Sequence, residues 1–143
     1  MATRIQPNQI QNLQQIEAVV AGPDGANRLF TVCGQFNVNV SAFSSGPFAQ
    51  QAETFTVLVG PVFTRQQFFR AVCTATIAKK NSRVQIVPGD FAWLIVGSDA
   101  DWDDESGQVE LRIEVQVSTS GNGNFASIAG LAFQVTILGL AAE

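Results

Sequence analysis

The sequence predicts an all-β fold: a single β-sandwich of about eight antiparallel strands, jelly-roll-like in connectivity, behind a short N-terminal arm or helix. Three observations predict it. Alternating or apolar runs recur along the 143 residues, separated by clusters of Gly, Pro, Asn and Ser. No convincing helical period interrupts them after residue 22. Eleven Phe and two Trp against no Tyr suit a dry interior between two sheets, where a phenolic hydroxyl would need a partner.

The clearest element is the run Val109–Val117. Val109, Leu111, Ile113, Val115 and Val117 fall on one face, and Glu110, Arg112, Glu114 and Gln116 on the other. Side chains of a strand alternate with period two, so this is a half-buried strand. It follows the apolar run Phe91–Val96 and the acidic segment SDADWDDES. Phe91–Val96 is apolar on both faces, which predicts a central strand or a subunit interface.

Earlier in the chain, residues 1–22 are expected to form an arm or tether, and residues 23–143 the sandwich domain. Ile5, Ile10, Leu13, Ile16 and Val20 recur at helix-like spacings in a Gln/Asn background, with Pro7 and Asn8 at the start. A helix of about ten residues is marginal alone in water, so it must pack, either on its own domain or on copies of itself through a short seam. GPDGAN at 22–27 reads as a turn. In LFTVCGQFNVNVSAF, Phe30, Val32, Phe36, Val38 and Val40 share a face with Gly34 in phase, which predicts a long strand. SSGP at 44–47 is the next predicted loop, and FTVLVGPVF a strand broken at Gly60-Pro61, because Pro cannot donate to a ladder.

QQFFRAVCTATIA predicts a further strand, KKNS at 79–82 a polar turn, VQIV a strand, and Pro88-Gly89-Asp90 a compact turn. STSGNGN at 118–124 predicts a glycine-rich loop, and the run from Phe125 one or two strands with a bend at Gly130.

The residues of the opening, TRIQPNQIQNLQQIEAVVAG, resemble the N-terminal segments of phage virion accessory proteins of the tail-fibre or head-decoration (cement) type, over residues 3–22. No long coiled-coil or β-helical shaft follows, so a short accessory fits as well as a fibre. The resemblance implies a virion component, made in the host cytoplasm, that meets the major capsid or another virion protein.

Composition narrows the function classes. Charged residues make up 14%, and Gln and Asn fill the gap, a surface that repels its own copies little. The net charge of −4 argues against a nucleic-acid partner. No apolar run is long enough for a helical membrane span, and the N-terminus has no signal-peptide core. The chain has no His, the commonest general base and transition-metal ligand. Strand phase puts Cys33 and Cys73 on unlike faces, which predicts free thiols.

The candidate sites are two. Asp99, Asp101, Asp103 and Glu110 stand at positions 1, 3, 5 and 12 of a calcium-loop spacing, but Asp104 occupies the glycine position and strands flank the loop. An ordinary EF-hand is therefore excluded, leaving a looser Ca2+ cage or a solvated hairpin loop. Ile10, Leu13, Ile16, Trp93 and Trp102 are the candidate interface residues. The expectation for the whole is a non-enzymatic, homo-oligomeric structural protein, most simply a trimer. The alternative is a carbohydrate- or Ca2+-dependent ligand-binding sandwich with the two Trp as stacking platforms.

Overall fold

The computed structural model describes residues 2–22, 25–84 and 89–140. It is all-β: β1 (Thr3–Ile5), a 3-10 turn at Pro7–Gln9, β2 (Ile10–Gly22), β3 (Gly25–Val59), β4 (Phe68–Arg83), β5 (Phe91–Trp102) and β6 (Val109–Leu140). All six strands belong to one continuous sheet. Its spine is the antiparallel ladder of β3 and β6, which runs from Asn27↔Leu140 to Val59↔Val109. On the free edge of β3, β2 pairs with residues 25–36 and β1 with Phe55–Val57. On the free edge of β6, β4 pairs with residues 125–139 and β5 with residues 109–119.

The ladder is bent back on itself. Phe36 and Phe55 lie nineteen residues apart on β3, which a straight strand would separate by roughly 60 Å. Their rings meet edge-on with centroids 6.0 Å apart. Phe30 and Phe63 meet in the same way at 5.8 Å. Gly60, at φ +78°, lies where an added Cβ would sit 2.7 Å from the Ile137 methyl, so its missing side chain lets the two halves close. Bulges between Asn37 and Val40, Phe43 and Ser45, and Gly46 and Ala49 supply the bend, since extra residues kink and twist a strand.

The first half thus holds β2, residues 25–37 of β3, residues 125–140 of β6, and β4. The second holds β1, residues 49–59 of β3, residues 109–119 of β6, and β5. One apolar cluster joins them. Val109, Leu111, Ile113, Val115, Val117, Leu131, Val135 and Ile137 of β6 are all fully buried. The Val109–Val117 alternation therefore points as the sequence predicts. Past Gly130, where the bend was expected and a register shift sits, the buried set changes phase from Leu131, Phe133 and Val135 to Ile128 and Ala126.

Four expectations are corrected. Residues 10–22 form no helix: β2 is a strand, because the edge of β3 offers it ladder hydrogen bonds that a short polar helix could not match. The predicted loops at 44–47 and 118–124 are corners of continuous strands, paired through Ser45↔Asn122 and Gly46↔Gly121, and the described residues form six strands in one sheet where about eight in two sheets were expected. Lys79–Ser82 stay within β4 instead of turning. Phe91–Val96 is no central strand: β5 pairs with β6 alone, and its Leu94 and Val96 face outward, 44% and 47% exposed. The predicted VQIV strand and Pro88 fall largely outside the described residues. Both cysteines are free thiols.

Phe36 packs on Phe133 of its own half, 6.2 Å between centroids, and on Phe55 of the other, and so bridges the halves. Phe36→Ala is expected to cost about 3–5 kcal/mol in urea unfolding. A loss below about 1 kcal/mol would mean that the halves do not depend on this contact.

Candidate functional site

The acidic segment closes the β5–β6 hairpin, and its carboxylates diverge. Asp99 and Asp101 are exposed members of β5, opposite Arg112 and Glu110. Glu110 is engaged across the sheet by Arg4 of β1, at 2.6 Å. Asp103 caps the turn instead: its Oδ2 accepts the Ser106 amide at 3.0 Å and the Ser106 hydroxyl at 2.6 Å. Its backbone amide donates to Gln108 O and its carbonyl accepts from Gly107. Among the described residues no three His, Cys, Asp or Glu side chains converge as metal ligands. The strand geometry explains the divergence, because an extended chain spreads positions 1, 3 and 5 along roughly 13 Å instead of curling them round a point.

Trp102 turns back onto its own domain. Its Nε1 donates to Phe63 O and Gly107 O, each at 3.1 Å, and so pins the hairpin to the segment after β3. Trp93 is likewise half-buried: its Nε1 donates to Ser127 O at 3.1 Å, its ring stacks on Phe91, and the Lys80 ammonium lies 4.4 Å over it. Lys80 on β4 and Trp93 on β5 close one side of the doubled sheet. On the opposite side Ile10 and Leu13 line a cleft of about 390 Å³ with Ile5, Val32, Leu58 and Gln108. Ile16 stands on the outer surface, 67% exposed.

A feature that spacing did not flag emerges from the register. Residues opposite one another in neighbouring strands share a face, so the outer faces can be read as rows. Across the second half run Arg4, Thr56, Arg112 and Asp99, then Leu58, Glu110 and Asp101, then Thr54, Glu114 and Gly97. Across the first half run Ala18, Leu29, Leu138 and Arg70, then Ile16, Thr31, Thr136 and Val72, then Gln14, Cys33, Gln134 and Thr74. One outer face is dense in charge. The other carries Arg70 at one end, Lys79 at the other and neutral side chains between them. The signal was present in the sequence: the outward set of Val109–Val117 is Glu110, Arg112, Glu114 and Gln116, three charges in four, whereas that of Leu131–Ile137 is Ala132, Gln134 and Thr136.

The hydrogen bonds from Ser106 hold the Asp103 carboxyl below its ordinary range. A depressed folded-state value means stability that is present above the unfolded pKa and lost as pH falls through the folded one. Lowering the pH through and below the ordinary Asp range, about 3.9, is therefore expected to loosen the hairpin turn. Ser106→Ala should raise the Asp103 pKa in an NMR titration. An unchanged value would show that the Ser106 hydroxyl does not set it.

Comparison with protein-family models, with curated proteins and with solved structures gave no match.

Proposed function

We propose that the chain is a non-enzymatic structural protein that works as a homo-oligomer, a capsid-decoration or short-appendage component of a phage-type particle. The observation that carries this reading is the exposed apolar surface. Ile16, Val19, Phe43, Phe48, Val62 and Val72 are each more than half exposed. Exposed apolar surface marks interaction sites, and Ile16 and Val72 stand in one row of one outer face. The low charge of the chain, the resemblance of residues 3–22, and the lack of any His agree with it. In this reading the doubled sheet is a β-sandwich whose long paired strands wind in jelly-roll fashion, an architecture shared by many shell-forming domains. The N-terminal strands β1 and β2 then stiffen the domain edge nearest the neighbour.

The carbohydrate- or Ca2+-binding alternative has less support, because both indoles are turned inward and the hairpin carboxylates are spread or engaged. Calcium titration followed by Trp fluorescence is expected to give no response, and a micromolar response would favour the alternative.

Light scattering across a concentration series is expected to give a mass above one chain that persists when salt is raised to about 1 M, where charge–charge attraction is screened within ~3 Å. A monomer at every concentration would contradict the proposal.

A further inference from the structure

The proposed assembly requires a contact surface, and the outer face of the first half is the strongest candidate. It is four strands wide and about nine residues long. With strands about 4.8 Å apart and about 3.3 Å per residue, it measures roughly 19 by 30 Å. Its in-plane area of roughly 570 Å², raised by side-chain relief, approaches the ~800 Å² per partner of a stable interface. Its centre is uncharged, and its apolar ridge of Ile16, Leu29, Leu138 and Val72 leaves Ile16 67% and Val72 57% exposed.

The occupant follows from charge. The rest of the molecule carries the net negative charge, and the opposite outer face bears four carboxylates, Asp99, Asp101, Glu110 and Glu114, against two guanidiniums, Arg4 and Arg112. Setting that charged face on the neutral one would strip water from two more carboxylates than its two guanidiniums can pair. The neutral face finds its match in another neutral face, and the one this chain supplies is its own. We propose that the outer face of the first half is the contact to a second copy of this chain, sheet against sheet about a two-fold axis. The inference rests on the homo-oligomeric reading above and sharpens it. A face that meets itself is isologous, so the building unit is a pair of chains in place of a trimer.

Cys33 is a native reporter. It points outward at the middle of this face, between Gln14 and Gln134, whereas Cys73 points inward. In the wild-type protein the rate of maleimide alkylation at Cys33 should fall at least tenfold as concentration is raised from the monomer range into the assembled range, with Cys73 unaffected. Val72→Asp and Ile16→Asp, both at exposed positions, should give monomers with unchanged circular dichroism and restore Cys33 labelling. Ala92→Asp, on the opposite outer face, should leave the pair intact. If the wild type assembles while Cys33 stays equally reactive and both face variants assemble as before, this surface is wrong and the oligomer reading stands. A trimeric mass overturns the two-fold contact, and a wild type that never assembles overturns both readings.

Discussion

The packing of Phe36 against Phe55 is the constraint on which the rest of the structure depends. Both rings belong to β3, and they meet only because that strand and its partner β6 double back together. Once the ladder is folded, every other strand has its place. The two halves of the free β3 edge take β2 and β1, and the two halves of the β6 edge take β4 and β5. Burial is concentrated on β6 because it is hydrogen-bonded on both sides along most of its length and covered by the opposite half. The price of the doubling is bulges and glycines at the corner, where Phe43 and Phe48 are left exposed.

Much of this was legible in the residues, and what was not has physical causes. The period-two runs of Val109–Val117 and Phe30–Val40 report one buried face directly, and their buried sets match except at Val38, which is only partly buried beside a register shift. The Gly60-Pro61 break was readable because backbone conformation limits what can stand there, and Gly130 marks the register shift because glycine is common at strand irregularities. The corners SSGP and STSGNGN look like loops, since composition reports local turning but not whether the cross-strand bonds continue through the turn. Residues 10–22 carry a helix-like spacing of Ile and Leu, yet an unpaired edge of β3 overrides so weak a preference. β5 reads as central because both its faces are apolar; its exposed Leu94 and Val96 show that apolar pattern and burial within one chain are separate properties.

The candidate calcium positions show the same limit from the other side. Their spacing along the chain fits a curled loop, but a strand sends Asp99 and Asp101 to the outer face, hands Glu110 to Arg4, and gives Asp103 to the turn. The distribution of charge between two outer faces needed the register, because each row draws on strands far apart in sequence. That distribution links fold to function: a sheet folded in two exposes two broad outer faces, and only one of them is dressed for water.

Native-state hydrogen exchange tests the doubled ladder most directly. If the halves form one cooperative unit, the slowest amides of residues 111–117 and those of residues 131–137 will exchange through global unfolding, with the same free energy and the same denaturant dependence. Two distinct free energies, with one half opening while the other stays closed, would contradict the account.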